Sequence, residues 1–469
     1  MKKTLAILIA LLLVASCVCA KTITVTSSAD SGAGTLRQAV LDANANDSII
    51  FDSSVTSITL STVIRLEKNI TITGNKNSTT TTTMLAPNSR HFVLPNTGVT
   101  ATLNNLILKD GYFYTCGGSI YILQGNFLTL NNCFFTDNKA DKIAGAIDNI
   151  GKLTINNCVF NNNICSSYGA GAIINDGEIK ISNTTFISNK TEVVNSSTSY
   201  VPSAGALYNR QGTLTINNCL FKGNQGDVSG GLLNRGSANV VNCLFTGNTS
   251  IDFKNQGTIF NFNLGSYDVG STSLTIVNTT ITNNVGKGIY NDQTIRLYNS
   301  IVTNNNATQD IYNDSIGTIT ANNNLIGTSN VALSANGNIL NTDPLFVGNG
   351  DFSLQKSSPA INAGDNSFID TSLINIDLAN NRRISDKTID LGAYEFQNKS
   401  ADIPINYNDN LRIYSRNQTI YIENASSPIS VYNVMSQLIT RGTNTQFTVP
   451  VAGVYIVRVG DKTQKIIVK

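Results

Sequence analysis

Asp176, Arg210, Arg235, Asp292 and Asp314 each follow the asparagine that closes a recurring phrase. Two carboxylates held on neighbouring turns of a coil, as Asp292 and Asp314 would be, could share a proton or a cation. A polysaccharide lyase needs carboxylates gathered around Ca²⁺ with an Arg or Lys base beside them. A glycoside hydrolase needs a carboxylate pair at a set separation. Asp137, Asp141 and Asp148 form a second, looser acidic group. The competing explanation is a solvated column at a bend, with Asp176 and Arg210 pairing across turns. No compact cluster of carboxylates with an adjoining base is legible. No catalytic residue is therefore assigned and no metal site, with Asp292 and Asp314 the weak candidates for one and calcium the cation they would admit. The lone histidine, His91, lies outside the repeats and reads as structural.

These columns exist because the chain repeats itself. The phrase "LTINNCVFNNN" at 153–163 returns as "LTLNNCFFTDN", "IKISNTTFISN", "LTINNCLFKGN", "ANVVNCLFTGN", "LTIVNTTITNN" and "IRLYNSIVTNN". In all seven copies one asparagine precedes another by six residues. The first column is Asn132, Asn157, Asn183, Asn218, Asn242, Asn278 and Asn299. The second is Asn138, Asn163, Asn189, Asn224, Asn248, Asn284 and Asn305. A third closes "GAIDN"-type phrases at Asn149, Asn175, Asn209, Asn234, Asn261, Asn291 and Asn313. Three bends and three short strands per period of mostly 21 to 36 residues predict a triangular solenoid. Stacked parallel strands lie about 4.8 Å apart, so like residues sit over like. Asparagine tolerates left-handed backbone at a sharp bend, and its amide can bond to the amides above and below. The first column is the structural asparagine ladder. Leu153, Ile155 and their counterparts point inward, as do Phe135, Phe160, Phe186, Phe221 and Phe245.

Composition agrees with an elongated fold. The chain has 469 residues, of which 64 are Asn and only 13% charged, against roughly 25% in typical domains. Net charge is +2, with no basic run beyond the N-terminus, so nucleic acid is not expected as a partner. Cys133, Cys158, Cys219 and Cys243 share one slot with Thr184, Thr279 and Ser300. In-register side chains point the same way, which strains an S–S torsion, so free thiols are expected.

Residues 1–20 read as a signal peptide: Lys2 and Lys3, the apolar run "LAILIALLLVA", and "VCA" ending at Ala20. "VASC" offers the alternative of lipidation at Cys17. Residues 35–46, "TLRQAVLDANAN", predict a capping helix with Leu36, Ala39, Val40 and Ala43 on its inner face and a Thr35–Gln38 capping box. Residues 397–410 read as a linker, and 411–469 alternate like a small antiparallel β-sandwich.

Four stretches carry resemblances. "GTLRQAVLDANANDSIIFD" resembles the N-terminal segment of exported bacterial right-handed parallel β-helix proteins, the pectate-lyase-like class. The "GAI/GAL" and "F-x-x-N" signals look like repeats of chlamydial polymorphic outer-membrane proteins, whose membrane barrel this chain does not share. Residues 343–396, with "DPLF", "FSLQKSSPAINAGD" and "IDLGAYEF", are similar to the last turns of exported β-helix proteins, with Asn362 where Asp often stands. Val431, Tyr432, Gly453, Val454, Tyr455 and Lys465 to Lys469 match the type A C-terminal sorting domain of the Bacteroidota type IX secretion system, with Ser436 departing from its usual Gly. That resemblance implies the type IX machinery and surface lipopolysaccharide as partners, and a location at the cell surface, in the outer membrane or outside the cell. It also favours cleavage after Ala20.

The expected fold is all-β: a right-handed parallel β-helix over 21–396, capping turns at 343–396, and a C-terminal Ig-like sandwich. The interval from second to third asparagine swings between 7 and 20 residues, so loops leave from one flank. Loops on a rigid scaffold concentrate ligand contacts, which points to Tyr168 and Tyr200 as binding residues. The functional expectation is a surface-attached, adhesin-like or glycan-binding protein without catalysis, its partner a polysaccharide or a host surface. The alternative is a polysaccharide lyase or glycoside hydrolase.

Overall fold

The structure, a computed structural model, describes residues 20–397 apart from 76–80, 193–202, 252–256, 264–271, 306–307 and 371–373. It also describes 412–468 apart from 417, 424, 426–427, 434–437, 450–452 and 461. The signal-peptide residues, Cys17 among them, and nearly all of the expected linker lie outside the described residues. Among those described, no helix is long and apolar enough to cross a membrane.

The chain winds into a right-handed parallel β-helix with three 12-stranded sheets running along it. Alternation decides which residues face in. Leu128, Leu153, Ile179, Leu214 and Leu274 are buried in register on the first sheet, as are Leu130, Ile155, Ile181, Ile216 and Ile276. The five phenylalanines of the second sheet stack face to face, centroids 4.4 to 5.0 Å apart and planes within 10°. The third sheet contributes Ile147, Ile173, Leu207, Leu232 and Ile259. A short six-stranded strip, from Tyr112–Phe113 to Thr249–Ser250, forms a fourth side between the second and third sheets. Its two-residue strands fall inside the variable interval, where no repeat marks them.

The three asparagine columns do different work. All seven first-column residues have φ between 46° and 58°, so they supply the left-handed corner between first and second sheets. At the second bend the left-handed residue is the one before the column, as at Asp137, Asn162, Ser188 and Asn283. That frees the second-column amide to turn inward. Each Nδ2 donates to the Oδ1 of the next floor, from Asn138 to Asn305, at 2.8 to 2.9 Å. It also donates to a core carbonyl, as Asn163 does to Phe135 and Asn189 to Phe160. Asp310 ends this ladder, accepting from Asn305 and from Thr328. The third column is a second continuous ladder, from Asn149 to Asn313, at 2.7 to 2.8 Å. In the first column only some neighbours bond through their side chains, such as Asn218 to Asn183 and Asn242 to Asn218. Buried polar groups need partners, and within each inner column the amides pair with one another; at the start of the third, Asn149 Oδ1 is without one among the described residues.

The cysteine slot is a fourth polar track. Each backbone N–H donates to the side chain one floor on: Cys133 to Cys158 Sγ, Cys158 to Thr184 Oγ1, Cys219 to Cys243 Sγ, Thr279 to Ser300 Oγ. A small acceptor is what this slot requires, and sulfur or hydroxyl serves. The six described cysteines are free.

The expected cap helix forms over Leu36–Asp42, with Thr35 accepting from the Gln38 N–H. Gln38's side chain bonds Asp42 instead of completing the capping box. At the other end the chain does not go on coiling as capping turns through 343–396. From about residue 360 it folds back as a strap along the first corner. Asn242, Asn278, Asn299 and Asn323 donate to the carbonyls of Ile376, Asp390, Asp365 and Ala363. Arg383 is fully buried, bonded to Asn242 Oδ1 and paired with Glu395 at 3.2 Å. Burial pushes the Glu395 carboxyl up to about 7 despite that arginine. Gly392, at φ 85°, lies where a Cβ would come within 2.6 Å of Thr280 Oγ1, so only glycine fits the strap there.

The C-terminal module has a three-stranded and a four-stranded antiparallel sheet around one core that includes Ile420, Phe447, Val431 and Val457. The Tyr432, Tyr455 and Lys465 strands lie side by side within it. Ser436 lies outside the described residues.

Substituting Asn209 by Ala removes an amide that donates to Asn234 and accepts from Asn175, leaving both buried neighbours short of a partner. The expected cost is about 2–4 kcal/mol. Asn157→Gly, at an exposed left-handed corner, is expected to change stability by less than about 1 kcal/mol. Denaturant unfolding of the two variants measures the contrast; equal losses would contradict it.

Candidate functional site

The charged positions after the third column lie along the outer edge of the third sheet. Asp176 pairs with Arg210 one floor on through a two-pronged contact, Nε to Oδ1 at 2.8 Å. Arg235 donates to the Tyr208 hydroxyl at 2.9 Å and lies over the Phe262 ring. Asp314 accepts from the Tyr290 hydroxyl at 2.8 Å, which holds its carboxyl below the usual range. Asp292 lies one floor before it, its N–H bonded to the Asn261 carbonyl. Among the described residues, no group of three or more His, Cys, Asp or Glu could hold a metal ion.

The looser acidic group does not converge. Asp137 bonds Asn162 and faces Lys109 at 3.8 Å. Asp141 accepts from the Tyr112 hydroxyl at 2.8 Å. Asp148 is buried on the outer face of the third sheet, and burial, then the charge of Asp176, lifts its carboxyl to about 6. Arg90 lies nearby, buried with its guanidinium 3.6 Å from the Phe113 ring centroid and 3.8 Å from Cys116 Sγ. Nothing in the sequence links Arg90 to Asp148, because their proximity comes from the stacking of floors. His91 is fully buried between Ser119 and the Met84 carbonyl, and burial lowers it to about 4, so it is neutral and structural.

The loop-bearing flank follows the short fourth strip. Strand pairing aligns Tyr112 with Lys139 and Ile164, and Phe113 with Ala140 and Cys165. The residues just past these strands therefore stack as well. Tyr114 is 57% exposed and Tyr168 47% exposed. Lys142, on the floor between them, donates to the Tyr114 hydroxyl at 3.2 Å and stands over its ring. Glu192 is held by Lys139, Lys190 and Ser166. Floors are about 4.8 Å apart, which sets the two tyrosines about 10 Å apart along the axis. Two exposed rings with a cation between them can stack on a sugar face and bond its hydroxyl or acid groups. The varying interval points to Tyr168; Tyr114 and Lys142, outside the aligned columns, carry no sequence signal of their own. Tyr200 lies outside the described residues.

Asp148→Asn removes an acid whose folded form prefers its proton. Wild-type stability contributed by this group is present below about pH 4 and is lost as pH rises through about 6. The variant is thus expected to unfold at a higher temperature than wild type at pH 8, with the difference shrinking by pH 4.5; a difference that grows in acid would contradict the assignment.

No protein-family model and no curated protein matches the chain. Among solved structures, the chain is similar to a crystal structure of pectate lyase Pel9A, at 13% identity and a TM-score of 0.44, over 80% of this chain and 97% of that one.

Proposed function

We propose that the chain is an exported, surface-attached β-helix that binds glycan through the Tyr114–Lys142–Tyr168 flank without cleaving it. The observation that carries this reading is the exposure of two tyrosines around a lysine on successive floors of a rigid coil. The engagement of the candidate carboxylates also supports it. Asp176 is tied to Arg210, Asp314 to Tyr290, Asp141 to Tyr112, and Asp148 is buried on the outer face of the third sheet. Tyr200 joins the binding residues in this proposal. The alternative, a polysaccharide lyase or glycoside hydrolase, would draw on Asp148, the one of these acids held near neutrality.

The C-terminal sandwich is the proposed sorting module, recognised by the type IX machinery and exchanged for surface lipopolysaccharide. Its compact core of its own, Ile413 to Val468, supports an independent recognition unit. Residues 1–20 are proposed to direct the preceding export step.

Tyr114→Ala and Tyr168→Ala are each expected to weaken retention on the bound polysaccharide about tenfold, since stacked rings contribute on the order of 1 kcal/mol or more. Their unfolding temperatures should match wild type. A glycan array followed by titration of the best ligand measures this; unchanged affinity, or release of unsaturated or reducing ends by the wild-type protein, would overturn the reading. Deleting 411–469 is expected to leave the chain in the periplasm, scored by cell fractionation; undiminished surface display would remove the sorting role.

A further inference from the structure

The strap reveals what the first corner recognises. Under it run two tracks. One is the corner amides Asn242, Asn278, Asn299 and Asn323, which bond strap backbone or side chains. The other is the outward column of the second sheet, Leu244, Thr280, Ile301 and Leu325, all buried. Ile301 and Leu325 pack with Ala360 and Leu391 of the strap, and Thr280 Oγ1 accepts the Ala393 N–H at 3.0 Å.

Both tracks continue past the end of the strap. Strand pairing places Leu220, Thr185, Val159, Phe134 and Ile107 in the same column as Leu244. All five remain partly exposed. Beside them run Asn218, Asn183, Asn157, Asn132 and Asn105, with the same left-handed backbone and the same outward amides. Even the hydroxyl that breaks the apolar run recurs, Thr185 matching Thr280. One column differs in part: the last outward residue of the first sheet is Val241, Val277, Tyr298 and then Asn322 beneath the strap, where Tyr298 stacks on Phe368, but Asn131, Asn156, Ser182 and Asn217 on the open floors. The open floors thus keep the amide and apolar tracks and add polar groups at the rim.

We propose that the corner from Asn105 to Asn218 is a docking groove for an extended polypeptide segment of strap-like chemistry. Its backbone would bond the corner amides, small or apolar side chains would cover Ile107, Phe134, Val159 and Leu220, and its solvent side would be polar. Continuity with the strap's own seat favours a peptide over a sugar chain, because the equivalent amides beneath the strap, Asn242, Asn278, Asn299 and Asn323, hold peptide carbonyls. The groove lies on a different side of the coil from the tyrosine flank, so this proposal stands apart from the glycan reading.

The test uses the full chain and a fluorescent synthetic peptide of residues 358–396, followed by anisotropy. Saturable binding is expected, weakened about tenfold or more by the pair Phe134→Asp and Leu220→Asp. The pair Asn132→Gly and Asn157→Gly, which keeps the left-handed corner and deletes only the amides, is also expected to weaken it. Tyr168→Ala should leave it unchanged. Circular dichroism and unfolding temperature establish that the glycine pair is folded. Absence of binding up to about 1 mM, a weak limit for any specific contact, would overturn the proposal. So would binding that neither pair alters, or competition by oligosaccharide alone.

Discussion

The fold depends on one interaction, the bond from an asparagine amide on one floor to the amide on the next. A solenoid this slender buries two continuous lines of polar groups, and each buried amide left unpaired would cost on the order of 1–3 kcal/mol. The second and third columns avoid that cost because, within each, one amide bonds the next in series, with spare hydrogens taken by backbone carbonyls. Their register then fixes everything between them. The phenylalanine stack, the aliphatic rows and the cysteine slot line up because the amides at both bends admit one vertical alignment.

Such a scaffold is indifferent to what happens between its fixed points. Between the second and third columns the chain can leave, add residues and return, and there it builds the short fourth strip and the exposed tyrosines. Between the first and second columns the path is constant, and its outer surface becomes a repeated seat that the chain's own strap occupies at one end. Variable loops and invariant corners are two consequences of the same amide bonding.

Most of the coil was legible in the sequence because its signals are periodic. Constant spacing from Asn157 to Asn163 and from Asn218 to Asn224 marks two corners, and alternation in "LTINN" marks the inward residues. What the spacing could not convey was the division of labour: Asn132 turns the backbone, whereas Asn138 is the ladder, after Asp137 has taken the turn. The strap was misread as further turns because its contacts are not periodic. Arg383 reaches Asn242 across 141 residues, and only folded geometry brings them together. The site was less legible still. Tyr168 could be guessed from a variable interval, and the pairing of Asp176 with Arg210 followed from their places on adjacent turns, but Tyr114 and Lys142 become neighbours of Tyr168 only when floors stack.

A double-mutant cycle on Asn189 and Asn224 tests the ladder most directly, since each amide is the other's partner at 2.9 Å. Chemical unfolding of the two Ala variants and the double variant gives the coupling. Serial bonding predicts that the second substitution costs at least about 1 kcal/mol less once the first has been made, whereas the cost of two independent sites would add to within about 0.5 kcal/mol. Additive losses would contradict the claim that the amides hold the floors by bonding to one another.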